Sequence, residues 1–68
     1  MKKYYILPEH CKWTETEATS AEAAYSSICA WYDTNTRLAV IDAETGQAAV
    51  FTRTLDKAGN LLKINREL

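Results

Sequence analysis

Glu9-His10-Cys11 is the most reactive-looking run in the chain. An imidazole beside a thiol can draw off its proton and leave a thiolate nucleophile, and Cys29 offers His10 a second thiol to activate. Neighbouring residues of an extended segment project to opposite sides, however, which places His10 and Cys11 poorly for a direct dyad. No Asp or Asn can be assigned as the group that orients the imidazole. His10, Cys11 and Cys29 are also a soft metal-ligand set, but structural zinc asks for four ligands, commonly opened by a C-x₂₋₄-C pair, and no such pair occurs. The sequence therefore yields no catalytic residue, no metal site and no cofactor motif. A non-enzymatic protein is expected, with His10 and Cys11 as the residues an enzyme would use.

Two further groupings bear on binding. Glu15 and Glu17 share one face of an extended segment, where they could hold a cation or act as a general acid/base pair. Charges so placed more commonly keep an edge strand from pairing with another sheet. Tyr4, Tyr5, Trp13 and Phe51 stand with Lys2, Lys3, Arg53 and Lys63 as aromatic and basic residues that could stack on unpaired bases. The largest of these aromatics, with Trp31 and Tyr32, are equally the natural core of so small a chain. Tyr4, Tyr5, Trp13, Phe51 and Arg53 are the candidate interaction surface.

Sixty-eight residues with a net charge of −1, 47% hydrophobic and 25% charged, fit one small folded domain spanning 1–68. Such a chain buries only ~60% of the surface its unfolded form exposes, so a partner could supply missing burial. Near-neutral charge argues against a dedicated nucleic-acid binder, which concentrates basic residues to neutralise phosphates. The balance hides an uneven distribution. Residues 13–34 carry Glu15, Glu17, Glu22 and Asp33 with no Lys or Arg, between two mildly basic flanks. Met1-Lys2-Lys3 followed by Tyr4-Tyr5-Ile6-Leu7 begins like a signal peptide, but Pro8-Glu9-His10 ends the apolar run far short of an h-region. No apolar run approaches the ~18 residues of a spanning helix. A cytoplasmic protein without a membrane segment is expected, its two cysteines free.

The elements that would position these residues read in the order β(β)αβββ. Lys2–Leu7 has the aromatic and β-branched content of a strand, apolar on both faces and so suited to a central place. Pro8 ends it. Residues 12–18 are a second, weaker strand or an ordered loop. Thr19-Ser20-Ala21-Glu22 has the capping-box form, and Ala21, Ala24, Tyr25, Ile28, Trp31 and Tyr32 recur at one helical face. This predicts a helix of about 13 residues, some 20 Å long, stopped by Asp33-Thr34-Asn35-Thr36. Strands follow at 38–41, 48–55 and 61–64, with Gly46 and Gly59 in the turns between them.

The expected fold is thus a two-layer α+β sandwich, one helix on an antiparallel sheet of four or five strands. One helix cannot cover such a sheet. Tyr5 and Leu7 oppose Tyr4 and Ile6, and Ala39 and Ile41 oppose Leu38 and Val40, so an apolar face is left over unless residues 8–19, with Trp13, fold across it. An uncovered apolar face marks an association surface. The expected function is a protein-interaction or self-associating module, with a homodimer or another protein as partner. The alternative is a weak single-stranded nucleic-acid-binding accessory protein using an aromatic and basic sheet face.

Overall fold

The computed structural model describes residues 1–67. Five strands and one helix follow in the order β1 (Lys2–Pro8), β2 (Thr14–Ala18), α1 (Ala21–Ile28), β3 (Leu38–Asp42), β4 (Ala48–Leu55) and β5 (Leu61–Arg66). They form one five-stranded antiparallel sheet, ordered β2-β1-β3-β4-β5, with α1 on one side. The second extended stretch is therefore a strand. It lies at the sheet's edge, where a strand of mixed polarity is tolerated because only one side of it pairs.

β1 lies between β2 and β3 and runs antiparallel to both. β2 and β3 must then be parallel to each other, and parallel strands need a long crossover between them. The chain from Ala18 to Leu38 supplies it, with α1 in the middle. Ser20 is the N-cap, in extended conformation, and its hydroxyl accepts from the Ala23 amide at 3.1 Å. This moves the cap one residue beyond the Thr19 that the capping-box pattern names. Glu22 then sits in the first turn, where its charge faces the positive end of the helix dipole.

The register fixes which residues face the helix. Tyr4↔Asp42, Ile6↔Val40, Leu38↔Phe51 and Val40↔Ala49 are directly opposite pairs on that side. With Ala18, Ala24 and Tyr25 these apolar residues form the buried core. The Tyr25 ring stacks on Phe51 with centroids 5.2 Å apart. Arg66, opposite Phe51 on β5, holds its guanidinium over the Phe51 ring, 5.8 Å from the centroid.

The helix is shorter than the sequence suggests. After eight residues it leaves the α conformation at Ile28 and closes with a 3₁₀ turn, Cys29–Trp31. A 3₁₀ turn advances ~120° per residue against ~100° in an α-helix. Trp31 is thereby rotated off the apolar stripe and is 83% exposed, which removes it from the expected core. Tyr32 stays half-buried against the core.

The contrast is measurable. Phe51→Ala is expected to cost about 3–5 kcal/mol, the range for emptying a buried aromatic site, and to leave little folded protein. Trp31→Ala is expected to change stability by less than about 0.5 kcal/mol, as for surface positions without special contacts. Urea titrations followed by circular dichroism separate the two.

Candidate functional site

Among the described residues, no helix lies on the face of the sheet away from α1. The same register puts Lys3, Tyr5 and Leu7 of β1, Ala39 and Ile41 of β3, and Val50 of β4 on it, in the opposed pairs Tyr5↔Ile41, Leu7↔Ala39 and Ala39↔Val50. Trp13 stands one residue beyond the Thr14–Ile6 pair and meets Tyr5 edge-on, with ring centroids 5.7 Å apart and planes at 81°. Trp13 does not roof the face. It is 62% exposed, and Leu7 beside it is 43% exposed.

Two shallow concavities share Leu7. One, of about 320 Å³, lies among Tyr5, Leu7, Trp13 and Ile41. The other, of about 510 Å³, has Leu7, Ala39 and Val50 as floor and Glu9, Arg37 and Glu67 as rim. The rim is organised. The Arg37 guanidinium donates to the Glu67 carboxylate at 2.6 Å, and the Glu9 amide donates to the Arg37 carbonyl at 3.0 Å. The β2 side of the face is acidic, with Glu15 and Glu17 opposite Tyr5 and Lys3 and Glu15 at 3.9 Å from Lys3. On the β5 side Thr52, Asn65, Thr54 and Lys63 continue it as a polar strip.

The candidate surface drawn from the sequence is accordingly divided. Tyr5 and Trp13 lie together on the open face. Tyr4 and Phe51 do not, since the register turns both toward α1 and they are buried. Arg53 also points to the helix side. Its guanidinium donates to the Cys29 carbonyl and, at 2.8 Å, to the Tyr32 carbonyl. The Cys29 carbonyl also accepts from the Tyr32 amide at 3.2 Å, so Arg53 adds a cation to the turn that closes the helix, whose last turn has no basic residue of its own. Leu7, Ala39, Ile41 and Val50 complete the face. Their signal in the sequence was the alternation in phase with Tyr5.

The residues suited to chemistry are scattered. Glu9, His10 and Cys11 sit in the turn after β1, closed by the Cys11 amide donating to the Pro8 carbonyl at 3.3 Å. His10 takes φ 63° there, and both His10 and Cys11 are exposed. Cys29 is half-buried at the end of α1, its thiol donating to the Ser26 carbonyl. Among the described residues no group of three or more His, Cys, Asp or Glu side chains is placed to hold a metal ion, and no helix is long and apolar enough to cross a membrane.

Asp42, the one buried carboxylate among the described residues, has structural partners. It accepts from the Glu44 and Thr45 amides at 2.8 and 3.2 Å and pairs with the Lys2 ammonium at 2.6 Å. The hydrogen-bonded Lys2 ammonium, then the turn amides, hold its carboxyl below the ordinary value of 3.8, and Asp42 in turn holds Lys2 above 10.5. On the helix side, burial pushes the Tyr25 hydroxyl up, Cys29 adds to this, and Arg53 opposes it. A polar cleft of about 270 Å³ on that side includes Lys2, Ser20, Asp42, Gln47 and Arg66, and two of its charges already satisfy each other.

No family model, no curated protein and no solved structure matches this chain.

Two outcomes test these assignments. A carboxyl held below its ordinary value stabilises the fold fully above that value, and the contribution is lost as pH falls through the lower, folded-state value. Lys2 works at the other end, its contribution complete below 10.5 and lost as pH rises through its raised value. The stability gap between wild type and Asp42→Asn, which keeps the acceptor for the turn amides, is thus expected to be constant from about pH 5 to pH 10. It should shrink in more acid solution, as read by denaturant midpoints across pH. A left-handed non-glycine residue costs roughly 1 kcal/mol, and glycine returns part of this as chain entropy. His10→Gly is therefore expected to leave thermal stability unchanged or raised, and His10→Val to lower it.

Proposed function

We propose that this chain is a non-enzymatic interaction module that works by docking the open face of its sheet against another protein surface. The observation that carries this reading is the continuous apolar strip of Tyr5, Leu7, Trp13, Ala39, Ile41 and Val50 on the side opposite α1. It is bounded by charged and polar residues at its rims, the arrangement of an apolar centre and a wet border that protein interfaces share. An antiparallel sheet whose outer face met only water would alternate to polar side chains there. A chain this small also gains more than a large one from burying that strip against a partner.

The nucleic-acid alternative has the Tyr5–Trp13 pair in its favour as a stacking platform. Against it, Glu15 and Glu17 share the face with Lys3. Lys2 and Arg53 are engaged on the other side, so of the four cations grouped with these aromatics only Lys3 and Lys63 share the open face. Anisotropy titrations with mixed single-stranded oligonucleotides at low salt are expected to give no binding.

The docking reading is tested with a photo-reactive phenylalanine analogue placed at Ile41, on the open face, and at Thr54, on its polar margin, in full-length protein irradiated inside the expressing cell. Discrete polypeptide adducts from position 41, absent from position 54, are expected. No adduct from position 41 sinks the reading.

A further inference from the structure

The outer edge of β2 is the less guarded of the sheet's two edges. β5, at the other end, carries Lys63 and a register shift between Thr54 and Leu55, two of the devices that keep edges from pairing. β2 holds an unbroken register with β1 and contains neither proline nor lysine. One hydrogen bond tells which of its backbone groups face outward. The Ala43 amide donates to the Lys3 carbonyl at 3.1 Å. Lys3 and Tyr5 therefore turn their backbone groups toward β3, and Lys2, Tyr4 and Ile6 turn theirs toward β2, where they meet Ala18, Thr16 and Thr14. Glu15 and Glu17 alternate with those three, so their N–H and C=O groups point away from the sheet. No described residue bonds to them there.

We infer that this edge accepts an extended segment of a partner protein as an added antiparallel strand, and that the segment alternates cationic with aliphatic side chains. The surface is distinct from the open face, and the inference does not depend on that face being a docking site.

Three features set the chemistry of the segment. The outward N–H and C=O groups call for extended backbone, as when a peptide completes an exposed sheet edge. An antiparallel neighbour is chosen because the whole sheet is antiparallel and such pairing is the more stable per residue. Two residues of the segment then stand directly opposite Glu15 and Glu17, with their side chains on the same face. Both carboxylates are exposed, and Lys3, opposite Glu17 and 3.9 Å from Glu15, is the one cation that β1 sets against them. Lys or Arg at the two opposing positions supplies the balance.

The intervening residues of the segment project to the helix side. There Thr14, Ile28, Trp31 and Tyr32 line a groove of about 190 Å³, and Trp31 is 83% exposed beside it. An aliphatic side chain opposite Thr14 enters this groove and covers the indole. A second β2 strand does not meet these requirements. Paired antiparallel about Thr16, it would set carboxylate against carboxylate, and like charges directly opposite are destabilising.

The probe is a capped heptapeptide of strictly alternating valine and lysine, titrated into the isotope-labelled full chain and followed by two-dimensional NMR. The Glu15 and Glu17 amides and the Trp31 indole N–H are expected to shift, and those two amides to exchange more slowly with solvent. The Ile41 and Val50 amides are expected not to move. A peptide of the same composition with its lysines in one block, and one alternating valine with glutamate, are expected to bind at least about tenfold more weakly. The double variant Glu15→Gln, Glu17→Gln and the single variant Trp31→Ala are each expected to raise Kd about tenfold. Their amide spectra check that both remain folded. Methylating the lysine amides of the peptide, which face β2 in antiparallel addition, is expected to abolish binding.

Absence of shifts at millimolar peptide, or equal binding by the block peptide, overturns the inference. So do polymers of the chain alone, in which β5 of one copy would take the edge of the next. Shifts confined to Ile41 and Val50 overturn it while supporting the open-face reading. Shifts at Glu15 and Glu17 without adducts from position 41 uphold it while that reading falls.

Discussion

The position of β1 constrains everything else. Flanked by β2 and β3 and antiparallel to both, it forces the chain to leave one edge of the β1 pairings and return at the other. That journey requires a crossover, and the chain between Ala18 and Leu38 has room for a single short helix. One helix can lie on only one side of a sheet. Hence the core is one-sided, built of Tyr4, Ile6, Leu38, Val40, Ala49 and Phe51 beneath Ala24 and Tyr25, and the other side is left to Tyr5, Leu7, Ile41 and Val50. The open apolar face is a consequence of the topology, and its functional reading inherits that origin.

Much of the architecture was legible because its determinants are local. The hydroxyl-rich start of α1, the alternation in β3 and β4, and Gly46 and Gly59 at φ 79° and 88° each specify their element from a handful of neighbouring residues. The surplus apolar face was legible too, since the alternation of Tyr4 and Ile6 against Tyr5 and Leu7 is plain in the chain. What local pattern cannot supply is the parity of a two-sided strand. With both faces apolar, either Tyr4 or Tyr5 could meet the helix, and only the crossover decides. That is why Tyr4 and Phe51, grouped in the sequence with Tyr5 and Trp13, lie in the core.

Trp31 and Arg53 were obscure for a related reason. The position of Trp31 depends on where the α-helix tightens, and that change of pitch coincides with the carbonyls that Arg53 takes up from β4, more than twenty residues further along the chain. Long-range capping of this kind leaves no periodic trace. Arg53 in isolation reads as a surface cation, and its role appears only when the helix end and the fourth strand are seen together.

The same arginine bears on how the molecule comes apart. α1 lies over the β2-β1-β3 portion of the sheet, and the β4–β5 hairpin projects beyond it, held to the helical layer by Phe51 beneath Tyr25 and by Arg53 beneath the 3₁₀ turn. Without those two ties the hairpin could fray as a separate cooperative unit, opening at lower free energy than the rest. With them, peeling the hairpin away takes Arg53 from the 3₁₀ turn that closes the helix at the same moment. Arg53 therefore acts as a stitch between the hairpin and the helical layer, in addition to the β3–β4 ladder and to Ala49 and Ile64 at the core, and it couples loss of the hairpin to loosening of the helix end.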